Sequence, residues 1–177
     1  SIAAMIASEP VTRPLSPHDA RLGPWRAFIE AHARVSRRLD EELRAEHDLS
    51  LAEYDTLLTI AWAPDRRIRM RLLADRILLS KSGVTRLIDR LVADGLVERS
   101  ACLSDARGAE AVLTPTGLER LRAAATTHLR GIDAHFLGVI DPGDVATVER
   151  AMRALADHAG PQGPGELCAP DVPDDQS

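Results

Sequence analysis

Residues 73–91 read LADRILLSKSGVTRLIDRL, and the spacing inside this stretch decides the fold. Val84, Leu87, Ile88 and Leu91 recur at three- and four-residue steps, the period that places side chains on one face of a helix. Lys81, Ser82, Thr85, Arg86, Asp89 and Arg90 fall on or beside the opposite face. Ser80 stands where its hydroxyl can accept from a free N–H of the first turn, and Gly95 where a left-handed residue stops a helix. A helix is therefore predicted over 81–94. Just before it, Leu72, Leu73, Ile77 and Leu78 form the stripe of a shorter helix. A short helix followed by one that shows Ser, Thr and Arg near its start is what a helix-turn-helix presents to the major groove of DNA. Thr can touch a thymine methyl, and Arg can reach guanine O6 and N7. Any solvated amphipathic helix carries a similar outer face, so this pattern needs support from its surroundings.

Toward the N-terminus, Ser50 and Glu53 spell a capping box, and Leu51, Tyr54, Leu57, Leu58, Ala61 and Trp62 give the stripe of a helix that Pro64 ends. Earlier still, Pro24 suits a first helical turn, and Trp25, Phe28, Ile29, His32, Val35, Leu39 and Leu43 predict a long helix to about His47. Ile68 lies among arginines in a short extended stretch. Toward the C-terminus, 96–101 and 110–113 read as two strands joined by a polar loop that holds Asp105 and Gly108 and places Arg107 at its tip. Thr114-Pro115 then opens a helix striped by Leu118, Leu121, Ala125, Leu129, Ile132 and Phe136. Asp141-Pro142 repeats that signal for a last helix carrying Val145, Val148, Met152 and Leu155, to about His158. The fold class expected is mainly α with a small β-hairpin wing: a winged helix-turn-helix flanked by dimerisation helices. Its divisions are a flexible N-terminal arm over 1–23, dimerisation helices over 24–48 and 114–158, a winged helix-turn-helix over 49–113, and a disordered acidic tail over 159–177.

Bulk composition fits this reading. The chain has 177 residues with a net charge of −5, yet residues 64–112 hold ten basic and seven acidic side chains, so a modest basic excess coincides with the motif. Cys102 and Cys168 are the two cysteines, too few and too far apart for a disulfide framework or a zinc cluster, and a reducing cytoplasm is expected. The apolar start over 2–7 is too short for a membrane span and lacks a basic flank. The six histidines form no compact metal pattern, and no Walker loop, nucleophile elbow or dinucleotide-binding glycine motif is present. No cofactor, no metal and no enzymatic activity are expected.

The run from Leu73 to Leu91, followed by Asp94-Gly-Leu-Val-Glu-Arg99, Asp105-Ala-Arg107-Gly and Val112-Leu-Thr-Pro-Thr-Gly117, resembles the MarR family of bacterial transcription regulators. The resemblance spans roughly residues 24–158. It implies a homodimer whose first and last two helices interlock, acting on palindromic double-stranded DNA, usually as a repressor. The D-x-R signature implies that Arg107 reaches a narrow minor groove while Asp105 supports it. Ala106 stands where the family commonly has a second basic residue, which removes one wing contact.

The expected DNA-binding set is Ser80, Lys81, Ser82, Thr85, Arg86, Arg90 and Arg107, with Asp105 as wing support. The family resemblance also implies a pocket for a small aromatic or phenolic effector between the dimer helices and the winged domain. Trp25, His32, Tyr54 and Trp62 are candidates to line it, because rings are rare in this chain, against the plainer reading of ordinary core or interface residues. Cys102 could act as a redox switch beside the wing, against the plainer reading of an inert thiol. The alternative function is a helical protein-interaction module that keeps the winged helix without DNA binding. Acidic net charge and Ala106 favour it; Arg86, Arg90 and Arg107 favour DNA.

Overall fold

The computed structural model describes residues 14–77, 81–102 and 105–159. The chain divides into two units at Arg34/Val35, inside the first helix, α1 (Gly23–His47).

In the first unit, the Asp19 carboxylate accepts from the Arg21 backbone N–H at 2.9 Å and caps a 3-10 turn over Ala20–Leu22. The guanidinium of Arg21 returns to the same carboxylate at 2.6 Å, and these hydrogen bonds hold the Asp19 carboxyl down at about 2. The opening of α1 then carries Trp25, Phe28 and His32 in succession, with ring centroids 6.2 and 6.4 Å apart. Trp25, Phe28 and Ile29 are exposed.

The second unit begins with the C-terminal half of α1. Asp48 ends that helix in the left-handed conformation (φ 52°), and α2 (Leu51–Ala61) starts three residues later. Ser50 Oγ accepts from Glu53 N at 3.2 Å while Glu53 Oε2 accepts from Ser50 N at 2.8 Å, so the capping box forms as its letters predict. A 3-10 turn over Pro64–Arg66 leads into β1 (Arg67–Arg69), followed by α3 (Met70–Arg76) and α4 (Lys81–Ala93). The hairpin is β2 (Val97–Cys102) and β3 (Asp105–Leu113), and α5 (Pro115–His135) and α6 (Val145–Ala159) complete the chain.

The strands form one antiparallel sheet in the order β1-β3-β2, with Ile68 opposite Ala111 and Glu98 opposite Val112. Alternate residues of these strands face inward, so Ile68, Val97, Ala111 and Leu113 join the core. Leu43, Leu57, Ile60, Leu73, Ile88 and Leu91 are fully buried around them. No helix among the described residues is long and apolar enough to cross a membrane.

Several local expectations change. The third helix starts at Met70, so the face repeating at 70, 73, 74 and 77 meets the core and Leu72 points outward at 44% exposure. The hairpin strands run further than their apolar letters, because ladder pairing continues through Ala101 opposite Ala109 and Cys102 opposite Asp105. Asp105 and Arg107 fall within the span of β3, and Cys102 is the last residue of β2; the register shifts between Ala101 and Cys102, so Arg107 lies in the irregular stretch beside the turn. On α5 the buried positions are Gly117, Leu121, Ala124, Thr127 and Gly131, leaving Leu129 and Phe136 exposed. The last helix begins at Val145, since Asp141 caps a turn by accepting from Gly143 N at 2.8 Å. Residues 1–13 of the expected arm, Leu78 and Ser80, and residues 160–177 of the expected tail lie outside the described residues.

Leu57 is 0% exposed where α2 meets the core. Leu57→Ala is expected to destabilise the chain by about 2–5 kcal/mol, read as a lower denaturant midpoint with unchanged slope.

Candidate nucleic-acid interface

Helix α4 is anchored by its apolar face. Val84, Leu87, Ile88 and Leu91 are each no more than 2% exposed. Because those four positions fix the rotation of the helix, Ser82, Thr85, Arg86, Asp89 and Arg90 are forced to the outside, and all five are exposed. Lys81 is the first residue of this helix and Arg107 the third of β3.

Two ion pairs brace this surface. Arg99 on β2 reaches Asp89 on α4 at 2.7 Å, tying the hairpin to the helix. Arg90 Nε lies 3.3 Å from Glu53 Oε1, whose carboxylate is mostly buried and already caps α2. Arg90 is thus engaged by its own chain, while Arg86 stands exposed on the same face. Glu53 and Arg99 were missed as interface residues; capping letters reveal Glu53's local role but not a partner 37 positions away. Among the described residues no group of three or more His, Cys, Asp or Glu could hold a metal.

The four ring candidates divide. Trp25 and His32 belong to the first unit and are exposed. Tyr54 is 3% exposed, with its ring 4.4 Å from that of His128. Tyr54 and Trp62 line a cavity of about 50 Å³ between α2 and α5, with Leu58, Leu121, Arg66 and Arg122. Arg66 is held there with φ 53°, in the left-handed region that disfavours side chains. Sequence reading missed Arg66 and Arg122, although Arg122 follows Leu118 by one helical turn.

A second cluster fastens the end of α1 to α5. Thr127 Oγ1 donates to Glu46 at 2.9 Å and so accepts from His47 Nε2 at 2.8 Å. The same hydroxyl contact holds the Glu46 carboxyl below its usual range. Arg130 also pairs with Glu46, and His135 lies 2.6 Å from Glu42.

Burial perturbs two more groups. It lowers the His128 imidazole, whose Nδ1 is buried without a hydrogen-bond partner, and pushes the Asp55 carboxyl on α2 up to about 6.

A family model described as MarR family matches residues 47–108. The chain is similar in structure to Sco3205, a MarR family transcriptional regulator from Streptomyces coelicolor in complex with DNA. The TM-score is 0.75 and the identity 30%, over 87% of this chain and 94% of that one. It is likewise similar to AbsC, a MarR family transcriptional regulator from the same organism (TM-score 0.74, 32% identity, 84% of this chain and 98% of that one). A point mutant of MarR from E. coli, complexed with operator DNA, aligns with a TM-score of 0.67 at 25% identity, over 77% and 94% of the two chains. No curated protein matches the chain.

Asp55 supplies a pH test. Its folded pKa lies above the unfolded value, so the folded chain holds the extra proton between about 4 and 6 and stability falls as pH rises through that window. Asp55→Asn is expected to be more stable than the parent at pH 7, with the gap closing toward pH 4, in urea melts across that range.

Proposed function

We propose that this chain, which belongs to the MarR family of transcription regulators rather than to an enzyme class, binds palindromic double-stranded DNA as a homodimer. The observation that carries this reading is the outward presentation of Ser82, Thr85 and Arg86 on α4, opposite a face buried to 2% or less. In each protomer α4 enters the major groove, where Arg86 meets a guanine edge and Thr85 a thymine methyl. The hairpin brings Arg107 to the neighbouring minor groove, with Asp105 supporting it and the Arg99–Asp89 pair holding hairpin and helix in register. Ser80, Lys81 and Ser82 contact phosphate, as do the free N–H groups of the first helical turn. Arg90 contributes less to DNA than its position suggests, since Glu53 holds it. Two such surfaces related by a two-fold axis fit half-sites one helical turn apart, roughly 34 Å. The relatives solved with DNA support this mode.

The homodimer reading is supported by apolar side chains the second unit leaves uncovered. Leu129, Phe136, Leu137, Val139, Met152 and Leu155 are all exposed, and α6 buries no residue. Exposed apolar surface of this extent on terminal helices marks an association face. The first unit adds Trp25, Phe28 and Ile29. The dimer acts in the cytoplasm as a repressor, by occupying the operator.

Release by a small aromatic or phenolic acid is the finer part of the proposal. Tyr54 and Trp62 offer ring faces, and Arg66 and Arg122 offer charges for a carboxylate or phenolate. At about 50 Å³ the cavity is smaller than the ~150 Å³ that admits benzene, so binding requires α2 and α5 to part. A ligand that favours the parted arrangement shifts the population away from the DNA-binding one.

Duplex affinity should fall steeply with salt, with a log–log slope that counts the phosphates neutralised. Arg86→Ala should weaken selected duplexes by about 1–3 kcal/mol and relax specificity at one base pair. Arg107→Ala should also weaken binding. Gel-shift titrations check all three. Salt-insensitive binding, with both variants indistinguishable from the parent, would favour the protein-interaction reading instead.

A further inference from the structure

The end of the DNA-facing helix and the start of α5 meet at a single residue. Helix α4 finishes in a double hydrogen-bonded stop: Leu96 N donates to Leu91 O at 2.9 Å and Gly95 N to Val92 O at 3.0 Å. Gly95 takes the left-handed conformation this stop requires, at φ 70°. The turn then exposes two carbonyls, Gly95 O and Leu96 O, and Thr114 takes both. Its Oγ1 lies 2.8 Å from Gly95 O and 3.1 Å from Leu96 O, and its backbone N–H donates to Leu96 O at 3.1 Å. The same Oγ1 accepts from Gly117 N at 2.9 Å and thereby caps α5. One hydroxyl is thus shared by the stop of α4 and the first turn of α5.

Gly117 closes the joint. A Cβ at this position would stand 2.1 Å from Leu96 O and 2.9 Å from Leu113 Cδ1, so α5 rests directly on the turn backbone. Leu96 is 2% and Thr114 8% exposed, which keeps water from competing for the bonds to Leu96 O. The two helices meet directly at this joint, although the β2–β3 hairpin separates them in sequence. A rotation of α5 at this end must carry the end of α4 with it, because a packed interior passes on displacement rather than absorbing it.

We propose that Thr114 and Gly117 are positioning residues for DNA recognition: they lock the angle of α4 to α5, so that the arrangement of α5 in the dimer sets which half-site spacing is read. This rests on the DNA-binding homodimer reading above. The joint touches no DNA; its effect is confined to the geometry with which two copies of α4 are offered.

The test uses the full chain and a palindromic duplex recovered by selection on it, together with versions carrying one base pair inserted or removed at the dyad. Each change rotates one half-site by roughly 35° relative to the other. The parent should discriminate against both. In Thr114→Val, which keeps the shape and removes the hydroxyl, that discrimination should fall by about tenfold, the scale of one lost buried hydrogen bond, while affinity for a single half-site stays within about twofold. Thr114→Ser should restore it. Gly117→Ala should shift the preferred spacing or abolish the preference. Should Thr114→Val fail to fold by circular dichroism, Thr114→Ala and Gly117→Ala carry the same comparison. Folded variants that discriminate spacing as the parent does would overturn the coupling alone. A parent chain that selects no duplex would overturn the DNA reading and the coupling with it.

Discussion

The burial of one face of α4 governs the rest of this structure. Val84, Leu87, Ile88 and Leu91 enter the core with Leu43, Leu57 and Ile60, and that packing sets the helix's rotation about its axis. Each fully buried aliphatic side chain contributes roughly 1.5–3 kcal/mol. Turning the helix by one residue would surrender most of that and bury Arg86. The polar edge is therefore fixed by what lies behind it. The ion pairs Arg99–Asp89 and Arg90–Glu53 refine the arrangement, but exposed pairs of this kind contribute about 1 kcal/mol at most and could not impose it.

Features encoded within a few neighbouring residues were legible in the sequence. The capping box at Ser50 and Glu53, the helix stop at Gly95 and the cap at Thr114 each depend on contacts three or four positions apart or on one residue's backbone preference. The period of α4 identified both its buried and its exposed face correctly, because the stripe is unbroken. Features that depend on distant pairing were not legible. The short extended stretch at Ile68 was read, but its pairing of Arg67–Arg69 with Glu110–Val112 across the fold was not. The second strand of the hairpin begins at Asp105 rather than Glu110 and runs through Ala109, a weak strand former that propensity alone would leave out. Leu72 and Leu129 were placed on apolar stripes by their spacing, yet their positions on α3 and α5 face outward.

The candidate site divides along the same line. Thr85 and Arg86 follow from helical period alone. That Arg90 is tied to Glu53, and that Tyr54 and Trp62 share a cavity with Arg66 and Arg122, follows from how α2, α4 and α5 pack. The two rings nominated on α1 fall in the other unit, which sequence spacing could not reveal.

Helix α6 has a further consequence. Fifteen residues with no side chain buried in their own chain obtain almost no tertiary support, and an isolated helix of that length is marginal in water. In the proposed homodimer its order comes from association, which makes folding of this segment and pairing of protomers a single equilibrium. The stability of such a dimer tracks protomer concentration, so its melting temperature rises with the amount of protein in the sample.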